Sequence, residues 1–157
     1  MSVTLNGIAQ GYITDRLANQ LRSAGFEHLF VNLGEFKASG RHADGREWQL
    51  GIADPTKPSE LRRVEPLSNL AAASSGGYGT TFEPSGRFHH IFDPRTGTPS
   101  NIWRGVTVFA ERATIADAAS TALINMEIDE ADTFLRRIGA RRAIGVASDG
   151  REVELIG

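Results

Sequence analysis

From Gly105 onward the chain changes its apolar spacing twice. "GVTVFA" (105–110) reads as a strand, residues 114–126 and 129–138 carry apolar side chains at helical intervals, and "RAIGVAS" and "EVELI" read as strands on either side of Asp149-Gly150. An Asp-Gly pair between two strand-like runs predicts a tight antiparallel hairpin, and Gly139 stops the second helix. Upstream, residues 6–24 predict a helix with Ile13, Leu17, Leu21 and Ala24 on one apolar stripe and Gly25 as its stop. "HLFVNLG" (28–34) and "EWQLGI" (47–52) read as strands joined by a polar hairpin loop at 40–46, and residues 54–63 as a proline-punctuated loop. "NLAAASSGGYG" (69–79) reads as a small-residue strand entering a glycine-rich turn, and "FHHIF" (88–92) as a further strand. The order is helix, several strands, two helices, two strands. That order predicts an α+β fold with a mainly antiparallel sheet and helices packed on it, and 157 residues with 40% hydrophobic content suit a single domain, 1–157.

Charge narrows the partners. The formal net charge is −2 and the Lys and Arg residues form no basic stripe interleaved with aromatics, which argues against nucleic acid. There is no cysteine, so disulfides and thiolate metal sites are excluded. No apolar run is long enough to cross a bilayer, and "MSVTLNGIAQGY" has neither the basic nor the apolar region of an export signal.

Four stretches carry the polar chemistry. "HHIFDPRTGTP" (89–99) crowds two histidines, Asp93, Thr96 and Gly97 at a strand end, where binding groups sit and where turn chemistry uses the same residues for local reasons. Alternation along a strand puts His89 and His90 on opposite faces, so one of them at most serves a given site. Gly7 and Gly11, four apart at a helix start, suit either a phosphate at the free amides or close packing of another element. In "ATIADAASTALINM" (113–126) the stripe Ile115, Ala118, Ala119, Ala122, Leu123 and Met126 leaves Asp117 and Thr121 together on the other face. Those two oxygens suit a hard cation; alternatively Thr114 and Asp117 form a capping box and Thr121 faces water. "SSGGYG" (74–79) suits a backbone anion cradle, but neither a Walker pattern nor a G-x-S-x-G elbow is present.

"LNGIAQGYITD", "SSGGYGTTFEPSGRFHHIFDPRTGTP" and "VTVFAERATIADAASTALINM", in this order, resemble the carboxy-terminal half of the ApbE family, the FAD:protein FMN transferases once described as thiamine-biosynthesis lipoproteins. The resemblance runs over nearly the whole chain and implies a T-fold-like architecture. It implies a magnesium-dependent enzyme that moves FMN from FAD to a threonine hydroxyl of a partner protein, a subunit of the quinone-reductase type, with release of AMP. Asp117, Thr121 and the Ala9 carbonyl are implied magnesium ligands and His90 the catalytic base. Gly11, Tyr12, Ser74, Ser75, Gly76, Tyr78, Asp93, Thr96 and Gly97 are implied to hold the flavin nucleotide. Two features depart from the family: "NLGEF" puts Glu35 where N-L-G-G-D has a small residue, and the amino-terminal half that completes the FAD pocket has no counterpart. A truncated or split protein is therefore expected to bind FAD weakly and to self-associate through an apolar patch at "LAAASSGGYG". An FAD pyrophosphatase and an inactive FAD-binding or structural fragment are the other readings. The resemblance implies a periplasmic or inner-membrane-associated location.

Overall fold

In the computed structural model, which describes residues 4–157, the chain runs α1 (Ala9–Ser23), β1 (Leu29–Asn32), β2 (Phe36–Ser39), β3 (Trp48–Asp54), β4 (Lys57–Leu67) and β5 (Ala71–Gly76). It continues through a 3₁₀ turn (Gly77–Gly79), β6 (Phe92–Asp93), β7 (Thr98–Pro99), β8 (Trp103–Ala110), α2 (Ala113–Leu123), α3 (Ile128–Ile138), β9 (Ala140–Ala147) and β10 (Glu152–Ile156). Six strands form one sheet in the order β1-β2-β5-β8-β9-β10, antiparallel throughout.

The pleat separates two cores. Ala73, Val106, Val108, Ala110 and Ala143 face the helices and meet Ala116, Ala119, Leu123, Ala131 and Leu135. Ala72, Phe109 and Ile144 face the other way, against Leu50 and Leu67 of the β3–β4 hairpin. The result is three layers of helices, sheet and hairpin, an α+β fold of the expected class. No helix among the described residues is long and apolar enough to cross a membrane.

Five local expectations are corrected. Residues 57–63 of the expected 54–63 loop are strand, the first part of β4, which pairs only with β3 and so accommodates Pro58 and Pro66. Its charged side chains are satisfied by ion pairs: Arg62 with Asp54 and Glu152, Arg63 with Glu65, Glu152 and Glu154, and Glu65 with Arg142. The strand at 28–34 turns back at Gly34 to pair with β2, so the 40–46 loop leads to a separate hairpin instead of joining two paired strands. "FHHIF" is mostly irregular: His89 makes a single bridge to Thr81, and only Phe92–Asp93 pairs, with β7. On α1 the buried residues are Gly11, Thr14, Asp15 and Ala18, while Ile13 is 55% exposed. The apolar stripe is not the buried face, because the helix approaches α2 too closely for large side chains. Ala71, Ala72 and Ala73 are fully buried, so the alanines of "LAAASSGGYG" supply no exposed apolar surface, and Tyr78 is its exposed apolar side chain.

Candidate functional site

The site is organised where α1 crosses α2. Gly7, Gly11 and Asp15 are spaced four apart, as are Ala113, Asp117 and Thr121, and the two series meet antiparallel. A Cβ on Gly7 would lie 3.1 Å from Thr121 Cγ2 and 3.3 Å from its Oγ1; one on Gly11 would lie 2.4 Å from the Ala113 carbonyl oxygen. The glycines thus serve close packing. The first turn of each helix has amides with no partner inside the helix, and each helix supplies the other's acceptor. The Gly11 amide donates to Asp117 Oδ2 at 2.8 Å. The Ala113 and Thr114 amides donate to the two oxygens of Asp15, each at 2.9 Å, and the Thr114 hydroxyl donates to Asp15 Oδ2 at 2.5 Å. The expected Thr114–Asp117 capping box is therefore not formed: α2 begins at Ala113, and its capping carboxylate comes from α1. Asp15→Ala strands three donors, two of them at a helix start, and is expected to cost about 2–3 kcal/mol, read as a fall in the urea midpoint with unchanged slope.

Asp117 is buried and Thr121 half-buried, so the face opposite the apolar stripe is covered as well, and Thr121 is not simply in water. Beside Asp117 is Glu35, only 7% exposed, whose Oε2 has no hydrogen-bond partner. Burial first, then repulsion from Asp117, pushes the Glu35 carboxyl up to about 7, against the lowering effect of the Ser74 amide. Burial raises Asp117 too, opposed by the bond from Gly11. Three hydroxyls join them: Ser75 Oγ lies 2.8 Å from Ser120 Oγ and 3.4 Å from Thr121 Oγ1. This donor set is entirely oxygen, which is what magnesium takes. Among the described residues no three His, Cys, Asp or Glu side chains cluster, so a cation here would rest on two carboxylates and neutral oxygens. Ala9 is the first, half-buried residue of α1.

Other expected site residues lie apart from this pocket. Ser74 points through the opposite face of the sheet, 2.8 Å from Thr107 Oγ1, and the Tyr78 ring covers Gly76 and Gly105 on that face. Tyr12 is 52% exposed on α1. Asp93 is buried and engaged by Arg95, whose Nε lies 3.0 Å from Oδ1 and Nη2 2.9 Å from Oδ2; this bonding holds the Asp93 carboxyl below the usual range. Gly97 has φ of +69° and donates its amide to the Asp93 carbonyl at 2.8 Å, and the Thr96 and Thr98 hydroxyls lie 3.0 Å apart. Arg95 Nη2 also reaches the Asn125 carbonyl at 3.1 Å, tying this turn to the end of α2.

The two histidines differ in what their rings have free. His89 is 3% exposed, with Nε2 3.0 Å from the Ser100 carbonyl and Nδ1 accepting the Ile91 amide at 3.3 Å. Both nitrogens are used internally. His90 is exposed, and only Nδ1 is engaged, 3.2 Å from the Thr80 carbonyl. A carbonyl accepts, so Nδ1 carries the proton and Nε2 is left as the basic nitrogen.

Residues 1–144 match the ApbE family. The chain belongs to the ApbE family. A FAD:protein FMN transferase of Haemophilus influenzae is 38% identical over 134 residues, which cover 82% of this chain and 39% of that protein. The ApbE protein of Thermotoga maritima superposes with a TM-score of 0.85 at 32% identity, over 98% of this chain and 51% of that one. The flavin transferase ApbE of Vibrio cholerae gives 0.80 at 27% identity, over 99% and 50%. This ApbE-family chain thus spans about two-fifths to half the length of these relatives. Sequence reasoning singled out Asp117, Thr121, Ser75 and Gly11, which the fold brings together. It missed Asp15 and Ser120, and read Glu35 only as a departure from the family pattern.

Proposed function

We propose that this chain is the carboxy-terminal half of a magnesium-dependent FAD:protein FMN transferase that esterifies a threonine hydroxyl of a partner protein and releases AMP. The observation that carries the reading is the buried oxygen cluster at the α1–α2 crossing, where Asp117 and Glu35 are buried near Ser75, Ser120 and Thr121 and no basic side chain acts on either carboxyl. The family relatives' names support the flavin chemistry. Asp117, Thr121 and the Ala9 carbonyl would hold magnesium, which when bound supplies positive charge against the pyrophosphate of FAD. Ser75 and Tyr12 would line the nucleotide on the helix side, Gly11 would let α1 approach α2 closely enough to build the site, and Gly76 would admit the Tyr78 ring against the strand end. Ser74 and Tyr78 would support the strand that carries Ser75, and Asp93, Thr96 and Gly97 would fix the turn that presents His90.

In the transfer, the threonine oxygen forms a bond to the phosphorus of the FMN moiety. The bond from that phosphorus to the bridging oxygen breaks, AMP leaves with that oxygen, and His90 Nε2 takes the hydroxyl proton. A quinone-reductase-type subunit on the extracytoplasmic side of the inner membrane is the acceptor this reading favours. The test is incubation with FAD, MgCl2 and an acceptor domain carrying a surface threonine, followed by mass spectrometry. The expected result is FMN added to the threonine, with AMP in solution. Free FMN and AMP without a modified acceptor would replace transfer with pyrophosphatase activity, and unchanged FAD would leave the chain a non-catalytic fragment.

A further inference from the structure

Glu35 is placed by register. It immediately precedes β2, where Phe36 pairs with Ala72 and packs on the hairpin side of the sheet. Because side chains alternate, Glu35 faces the helix side, where Asp117 lies. A one-residue slip would turn it to the other face. A carboxylate is costly to bury without a partner, yet Glu35 Oε2 has none and its neighbour is a second carboxylate. Asp117 accepts one amide, from Gly11. Neither has a basic side chain among the groups acting on it. When both carboxyls are ionised, the cluster holds two negative charges and three hydroxyls with no basic side chain among the groups acting on the carboxyls. A divalent cation supplies the missing charge, and magnesium sites use one or two carboxylates in this way.

We propose that Glu35 is the second anionic ligand of the cation site built on Asp117, holding a divalent ion between β2 and α2. The proposal rests on the cation reading given under Proposed function and adds to it a ligand from a different layer of the fold. With Glu35 engaged, the ion would tie the turn that enters β2, the sheet neighbour of the small-residue β5, to the helix that carries Thr121. Cation binding then fixes the Gly34–Glu35 turn against the helices.

The experiment is titration of the protein with Mn2+, following the free-ion electron paramagnetic resonance signal, for the wild type and Glu35→Gln. Thermal unfolding is recorded with and without MgCl2. The wild type is expected to bind Mn2+ and to gain thermal stability with MgCl2. Glu35→Gln is expected to bind Mn2+ at least tenfold more weakly and to lose most of that gain. Its metal-free unfolding temperature should not fall, since a buried charge has been removed at constant shape. Binding of Mn2+ by Glu35→Gln within twofold of the wild type would overturn the proposal while leaving the Asp117 site standing. No Mn2+ uptake by the wild type would overturn both. Should Glu35→Gln not fold, Glu35→Ala carries the same comparison.

Discussion

His90→Ala is expected to slow FMN transfer by about 10²–10⁴-fold, the range for loss of a general base, while FAD remains bound. Only one ring nitrogen of His90 is engaged within the chain, by the Thr80 carbonyl, and the side chain is exposed, so its removal leaves no buried gap. His89→Ala has the opposite signature. That ring packs against Gly77 and uses both nitrogens, so its loss opens a cavity under the 3₁₀ turn and lowers stability. The measurement is single-turnover FMN transfer alongside an unfolding curve for each variant. A rate loss with intact stability in His90→Ala, and a stability loss with a near-normal rate per folded molecule in His89→Ala, is the expected pair. Equal rate losses, or unfolding of the His90 variant alone, would return the stretch to a structural role.

Asp117→Ala is expected to remove the whole response of the protein to magnesium. At a hundredfold excess over its dissociation constant, a ligand of the folded state adds about 2.7 kcal/mol to stability. That increment should vanish, leaving the unfolding curve the same with and without MgCl2. A second loss is independent of metal: the Gly11 amide loses its acceptor in a buried crossing, which costs about 1–3 kcal/mol. The two are separated by recording wild type and variant both in chelator and in MgCl2. A variant that is weaker in chelator but gains as much from MgCl2 as the wild type would make Asp117 a helix cap alone.

Much of this fold was legible because local chemistry and tertiary structure agree. Gly25, Gly139 and Gly150 all have positive φ where the sequence predicts a helix stop or a hairpin turn. The failures share a physical cause, which is that the deciding partner is distant in the chain. Arg62, Arg63 and Glu65 look like loop residues until Glu152, Glu154 and Arg142 are brought beside them. Ile13 looks like core, but the inward face of α1 is set by how near α2 comes, so small residues win that position. Thr114 and Asp117 have capping-box spacing, but Asp15, 98 residues from Ala113, reaches the amides first. Of the site, the oxygen-bearing face of α2 was readable from spacing. Glu35 was not, because its direction depends on the pairing of β2 with β5.

The three matched contacts between α1 and α2 also bear on how this sequence tolerates changes in length. A single residue inserted between Gly7 and Asp15 would rotate everything beyond it by about 100° around the helix axis. Gly11 and Asp15 could then not both face their partners, and the same holds between Ala113 and Thr121. In the surface loop at 40–46 or the turn at 148–151, an added residue disturbs no such contact. Added residues are therefore expected to be tolerated in these loops and not within 7–15 or 113–121, and these two windows act as fixed rulers that keep Asp117 at one height along α1.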